Sequence, residues 1–199
     1  MAEHLKRLGY ATAHVGKWHV YGGGPGQHGY DVHDGETSNK EGNSKDPADP
    51  KKIFSMTRKA IGFIEAQVAA KKPFFVQVSH YAEHNAVQYL EETYEVCLRD
   101  KNIANITPVA LRKRVAQRSA MVEDMDRSIG RLIEKLDQLG VRENTYIIFT
   151  SDNGHYRDTG EKRLLRGDKW WLWEGGIRVP MIVSGPGVAP ESDCDANVV

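Results

Sequence analysis

Ala11-Thr12-Ala13-His14-Val15 runs directly into Gly16-Lys17-Trp18-His19. A short apolar run of this kind reads as a buried strand, and here it delivers a glycine, a lysine and a histidine at the point where it ends. The pattern recurs twice. Phe74-Phe75-Val76-Gln77-Val78 leads into Ser79-His80-Tyr81-Ala82-Glu83-His84, and Tyr146-Ile147-Ile148-Phe149 leads into Thr150-Ser151-Asp152-Asn153-Gly154. Ligands of open α/β sheets sit beyond the carboxyl ends of parallel strands. Strand ends rich in Lys, His, Asp and Asn are therefore expected to build one composite site for an anion and a cation.

The segments around these strands fit the same plan. Met1 to Leu8 reads as the end of a helix, with Gly9 as its C-cap. A helix is expected from about Lys52 to Ala70, because Ile53, Met56, Ala60, Phe63, Ile64 and Val68 fall at spacings of three and four. Gly35 to Pro50 reads as a polar surface loop, and Asn85 to Thr107 as irregular. Beyond Pro108 a long helix carries the stripe Val115, Val122, Met125, Ile129, Leu132, Ile133, Leu136 and Leu139, and Gly140 caps it. Its acids Glu123, Asp124, Glu134 and Asp137 are assigned to the solvent side. Val179-Pro180-Met181-Ile182-Val183 is a fourth strand, at an edge by its proline. Strand–helix–strand alternation predicts an α/β fold, a mostly parallel sheet flanked by helices, in a single domain over residues 1–199. The helix end at Met1 and the want of a closing element before Val199 read as a domain cut at both ends.

Bulk properties bound the function. The 199 residues carry 27 Lys and Arg against 27 Asp and Glu, so no nucleic-acid or polyanion surface is indicated. The basic cluster Arg112-Lys113-Arg114 reads as a solvated helix start. Two cysteines, Cys97 and Cys194, match neither a disulfide scaffold nor a zinc motif. No apolar run approaches the roughly 18 residues of a membrane span. Oligomeric state leaves no trace in the sequence.

The clusters carry chemistry of different specificity. Asp152 and Asn153 offer hard oxygen ligands, suited to Ca²⁺ or Mg²⁺. Two such donors fall short of the roughly six to eight oxygens that calcium takes, so others must be supplied from elsewhere. The same residues also read as a plain Asp-Asn-Gly turn. Lys17 and His19 project to one side if the segment stays extended, a pairing that suits a tetrahedral anion; a loop lysine and a core-edge histidine is the competing reading. His80 and His84 can each serve as acid or base near neutral pH, and a backbone-bonded structural role fits at least one of them. Lys169 adds a second cation, Gly175-Gly176 permits close backbone approach, and Glu174 with Arg178 reads as a structural pair. Trp170, Trp171 and Trp173 read as packing.

Taken in order, several segments resemble one family. They are Gly9-Tyr10-Ala11-Thr12 leading to Gly16-Lys17-Trp18-His19, then His28-Gly29-Tyr30-Asp31, then Met121-Val122-Glu123-Asp124-Met125-Asp126. Thr150-Ser151-Asp152-Asn153-Gly154 follows, and last Lys169 with Glu174-Gly175-Gly176-Ile177-Arg178-Val179-Pro180. The ordered set, spanning nearly the whole chain, resembles the type I sulfatases of the alkaline-phosphatase-like superfamily. The resemblance implies a calcium-bound sulfate-ester site with Asp152 and Asn153 as metal ligands and Lys17 and Lys169 on the sulfate oxygens. It makes His19 a neighbour of the nucleophile, and gives His84 both a sulfate contact and protonation of the leaving alcohol. It also implies an exported or periplasmic parent.

Departures accompany the match. Members of the family use a formylglycine made within Cys/Ser-x-Pro-x-Arg, ahead of the Gly-Lys-Trp-His segment. Cys97-Leu98-Arg99-Asp100 and Cys194-Asp195-Ala196-Asn197 both differ from that motif and come after that segment. The family's paired N-terminal aspartates are missing as well. Glu83-His84-Asn85-Ala86 stands where Pro-His-x-Pro is common, and His155 reads either as a substrate-side residue or as a solvated loop histidine. The expected function is hydrolysis of sulfate monoesters by a larger parent, with this chain inactive alone. Phosphate or phosphonate ester hydrolysis on the same fold is an alternative, and a non-catalytic anion-binding remnant is another.

Overall fold

The computed structural model describes residues 1–156 and 165–189. Cys194 lies outside them. The chain forms two compact units, residues 1–135 and 136–199.

The first unit is built on a parallel sheet. Helix α1 (Ala2–Arg7) feeds strand β1 (Ala11–Gly16), and Tyr10 N–H closes the turn on Leu5 O at 3.1 Å. β1 is central, flanked by β2 (Val32–His33) and β3 (Phe74–Ser79), both parallel to it. All six β1 residues are buried, as a strand covered on both faces requires. Helix α2 (Ile53–Ala69) packs on β1 and β3. Val15, Met56 and Tyr81 form one core cluster; Ile53, Phe54 and Met121 form another. Buried Thr12 satisfies both its roles, donating to Gly29 O at 2.7 Å and accepting from Asp31 N–H at 3.0 Å. That ties the His28-Gly29-Tyr30-Asp31 segment to β1. A shallow cavity of about 510 Å³, bordered by Lys6, Tyr10, Asp31 and Lys72, lies at the amino end of the strands, opposite the ends where α/β sheets take their ligands.

Three expectations are corrected here. Residues 85–107 are not irregular throughout, since α3 (Glu91–Arg99) and α4 (Lys101–Ala104) occupy much of that stretch. The acids Glu91 and Glu92 favour the first turn of α3, and Asp100 caps α4 through Asn102 N–H at 2.8 Å. Helix α5 (Val109–Gln138) forms as expected and Leu136 of its stripe is buried, but Val122 is exposed and Ala116, Ala120, Met121, Asp124 and Ser128 are buried as well. Small residues there let the backbones approach: Ser128 donates to Ile53 O at 3.1 Å and meets Thr57 Oγ1 at 2.6 Å. Asp124, assigned to solvent, is fully buried and accepts from Leu90 N–H at 2.8 Å and Thr93 Oγ1 at 2.7 Å. It is a tertiary cap that fixes the start of α3 on α5.

In the second unit β4 (Ile147–Thr150) pairs with β5 (Met181–Ser184) antiparallel, in a separate two-stranded sheet. The expected parallel setting therefore holds for β1, β2 and β3, and not for β4. Pro180 sits just before β5, where its missing N–H breaks no ladder bond. Helix α6 (Glu174–Ile177) precedes it, with Glu174 and Arg178 paired at 3.7 Å as expected. No helix among the described residues is long and apolar enough to cross a membrane.

Candidate active site

β1 and β3 run in register to Gly16 opposite Ser79, so the Lys17–His19 and His80–His84 segments leave the sheet side by side. Gly16 makes this junction. Its φ is +101°, and a Cβ there would overlap the Ser79 carbonyl oxygen and Met56 Cε. Gly16 N–H donates to Asp34 Oδ2 at 2.9 Å, Lys17 N–H to Ser79 O at 2.9 Å and His19 N–H to Thr37 O at 2.8 Å. The Thr37 hydroxyl donates to Gly16 O at 2.6 Å and accepts from Trp18 N–H at 2.9 Å. Trp18 Nε1 donates to Gly23 O at 2.8 Å, which anchors the loop Tyr21-Gly22-Gly23-Gly24-Pro25-Gly26.

Lys17 and His19 are thus held on a pinned turn, not an extended strand. The alternation that would place both on one side fails, since His19 adopts φ +46°. A non-glycine residue in that region is held there by its surroundings, and such positions concentrate at functional sites. Lys17 is half-buried and His19 exposed. Beneath them, buried His14 contacts Ser79 Oγ through Nε2 at 3.1 Å and meets the Trp18 ring edge-on. Burial pushes His14 down to about 4, against the opposing pull of Asp34.

The two histidines after β3 differ in kind. His80 is pushed down to about 4 by burial, and its Nδ1 is shielded from water with no hydrogen-bond partner. It is neutral at pH 7. His84 Nδ1 lies 2.7 Å from Asn85 O, so Nδ1 carries the hydrogen and Nε2 is left for chemistry. Arg118 from α5 steadies both neighbours of His84, reaching Asn85 Oδ1 at 3.1 Å and the Glu83 carboxylate at 3.8 Å.

In the second unit, Asp152, Asn153 and Lys169 are brought together by backbone packing. Gly154 N–H donates to Gly176 O at 2.9 Å, and Lys169 N–H to His155 O at 2.8 Å. A Cβ on Gly154 would overlap Gly175 O, and one on Gly175 would overlap Gly167 O. Loop 152–155 and loop 166–176 therefore interlock only with glycine at these positions, and the Lys169 backbone is bonded to the residue after Gly154. Asn153 Nδ2 donates to Gly154 O at 2.9 Å, which leaves Oδ1 as the oxygen able to meet a cation. Asp152 is exposed. As donors the pair fits two positions of a hard-cation shell. No group of three or more His, Cys, Asp or Glu suited to a metal occurs among the described residues.

Sequence reasoning missed Thr37, Asp34 and Arg118, which lie outside the motifs, and gave Ser79 no role of its own; each acts on a partner 18 to 65 positions away. Cys97 is free, and burial raises its thiol pKa, contrary to what a nucleophile needs. Trp170, Trp171 and Trp173 are exposed, though the Tyr156 ring meets Trp170 edge-on and the Arg166 guanidinium lies 3.6 Å over Trp173.

The chain is similar in sequence and fold to known proteins. The sequence matches the Sulfatase family over residues 1–198. It is 26% identical to an ulvan-active sulfatase of Formosa agariphila over 220 residues, covering 99% of this chain and 43% of that protein. It is 28% identical to an arylsulfatase of Hemicentrotus pulcherrimus, covering 94% of this chain and 38% of that protein. The crystal structure of Ps i-CgsB in complex with k-i-k-neocarrahexaose superposes with a TM-score of 0.75 at 25% identity, covering 94% of this chain and 47% of that one. The chain thus spans less than half the length of these relatives. With a match over nearly its whole extent and an α/β core shared with sulfatase structures, the chain belongs to the sulfatase family.

Proposed function

We propose that this chain carries the sulfate-recognition core of a sulfuric ester hydrolase acting on sulfate monoesters. The observation that supports it best is the Gly16–His19 turn, which presents a lysine and a strained histidine at the carboxyl end of the central strand of a sulfatase-family sheet.

The residue roles follow from chemistry and from the motif match. Lys17 and Lys169 bind sulfate oxygens and offset the charge that develops on them as the ester bond breaks. Their backbones are pinned before substrate arrives, so little reorganisation is needed. His84, with Nδ1 committed to Asn85 O, presents Nε2 to the ester oxygen. In its protonated form it donates from Nε2 to the departing alkoxide. His19 stands where it assists turnover at the neighbouring nucleophile. Asp152 and Asn153 Oδ1 would hold a hard cation, Ca²⁺ or else Mg²⁺. Such a metal, when bound, supplies Lewis-acid polarisation of a sulfate oxygen. The nucleophile-bearing Cys/Ser-x-Pro-x-Arg motif does not occur in the 199 residues. This chain alone is therefore assigned recognition and not turnover.

Equilibrium dialysis against 4-nitrophenyl sulfate in calcium tests both halves. The chain is expected to retain the ester intact and to release no 4-nitrophenol. Release would contradict the division between recognition and turnover. Failure to retain the ester would overturn the sulfate reading itself.

A further inference from the structure

His84 stands on a stretch with no ladder of its own. Residues 80–90 lie between β3 and α3 in neither helix nor strand, so the direction of the ring depends on what grips the two ends. At the near end His84 N–H donates to Tyr81 O at 3.0 Å. The buried Tyr81 ring lies so close to Gly42 that a Cβ there would overlap it. At the far end stands Gln88, and three hydrogen bonds converge on its side-chain amide. Oε1 accepts from Ser44 N–H and from Lys51 N–H, each at 2.9 Å, and Nε2 donates to Ser44 O at 2.9 Å. Turned over, the amide would set its own N–H groups against two N–H donors, so its partners fix its orientation. The side chain does for Ser44 what a neighbouring strand would do, taking its N–H and its C=O together.

The loop that receives Gln88 is itself constrained. Lys51 and Lys52 adopt φ +53° and +56°, a region that non-glycine residues seldom occupy. Lys51 is fully buried, an uncommon setting for a lysine, and its Nζ donates to Asn43 Oδ1 at 3.0 Å. Asp49 Oδ1 accepts Phe54 N–H at 2.8 Å and Ser55 N–H at 3.1 Å, which fastens the same loop to the first turn of α2. Strained backbone of this kind persists where its surroundings over-determine it, and it concentrates at functional sites.

We propose that Gln88 is a positioning residue for His84: clamped to Ser44 and Lys51, it holds the 82–87 stretch in the path that points His84 Nε2 at the ester oxygen. This rests on the reading of His84 as the group that meets the sulfate ester, and adds the residue that aims it. Gln88 is four residues from His84, and no helix or strand between them absorbs a shift. Release of the amide would let the segment slide, and Asn85 O, the partner of His84 Nδ1, would move with it. Arg118 would then hold the segment only from its middle, at Asn85 and Glu83. Small displacements of a positioned acid cost much of its effect.

A double-mutant cycle on the 199-residue chain tests this, with affinity for 4-nitrophenyl sulfate in calcium as one readout. Gln88→Ala is expected to bind the ester about tenfold more weakly, the scale of one hydrogen bond to a charged group. His84→Ala should do the same, and the double variant should be no weaker than either. With His84→Ala impaired, additive losses or no loss in Gln88→Ala overturn the proposal. The second readout is the nitrogen-15 spectrum of the neutral His84 ring, which reports the nitrogen that carries the hydrogen. The parent should show Nδ1–H and Gln88→Ala a mixture of the two tautomers, while the buried His14 ring keeps its parent signals. Retention of Nδ1–H alone in Gln88→Ala overturns the proposal. So does displacement of the His14 signals, which would make Gln88 a residue of folding at large. Gln88→Glu keeps an oxygen for the Ser44 and Lys51 N–H groups and should stay closer to the parent in both readouts; effects equal to those of Gln88→Ala overturn the role of those two bonds.

Failure of the underlying reading looks different. If His84→Ala binds the ester as the parent does while Gln88→Ala still shifts the His84 tautomer, Gln88 aims His84 but His84 does not meet sulfate.

Discussion

Gly16 shows how one residue sets the candidate site. It turns the chain from β1 into the lysine–histidine segment in a conformation that L residues avoid, against a carbonyl oxygen that leaves no room for Cβ. Gly16→Ala is expected to lower unfolding stability by more than about 1 kcal/mol; an unchanged urea midpoint would contradict the packing. His14 and His80 give a second residue-level expectation. Burial depresses both to about 4, so between that value and the usual 6.5 each is neutral when folded and charged when unfolded. The unfolded chain then binds more protons, and stability must rise with pH across that window and fall as pH drops through it. Thermal unfolding from pH 4 to 6.5 should show this, and a His14→Gln/His80→Gln variant should show a flatter profile. Lys17, His19 and His84 were legible because their residue types announce chemistry. Thr37, Ser79 and Arg118 were not, because a threonine in a polar loop or an arginine on a helix is ordinary until its remote partner is known.

At the scale of elements, α2 and α5 followed from helical periodicity, and β1 and β3 from short continuous apolar runs. The stripe of α5 holds at Leu136 and misses at Val122, and the small residues Ala116, Ala120 and Ser128 are buried beside Met121. Asp124 was assigned to solvent by its charge alone, yet its carboxylate takes up the Leu90 N–H and the Thr93 hydroxyl. Asp124→Ala would leave both donors buried and unpaired, and is expected to cost about 2 kcal/mol. Asp124→Asn keeps one acceptor oxygen and should cost less. Chemical denaturation of the two variants checks the order, and equal small effects would show that Asp124 does not hold α3. The antiparallel β4–β5 pairing was beyond sequence reasoning, because a short apolar strand does not state the direction of its neighbour.

For the whole molecule, the family was legible through several weak motifs in a fixed order, and the match over residues 1–198 agrees with that reading. Each motif has a mechanical basis. Gly16-Lys17-Trp18-His19 is a turn nailed to Thr37, Met121–Asp126 contains the buried cap Asp124, and Asp152-Asn153-Gly154 interlocks with Gly175-Gly176.

The proposed function assigns sulfate binding to Lys17 and Lys169 and a hard cation to Asp152 and Asn153. Thermal unfolding of the chain with calcium and sulfate, singly and together, tests it most directly. Calcium is expected to raise the Tm of the parent chain and sulfate to raise it further. Asp152→Ala should lose the calcium response, and Lys17→Ala should keep it while losing the sulfate response. A sulfate response that is absent in the parent chain, or that survives unchanged in Lys17→Ala, would contradict the assignment.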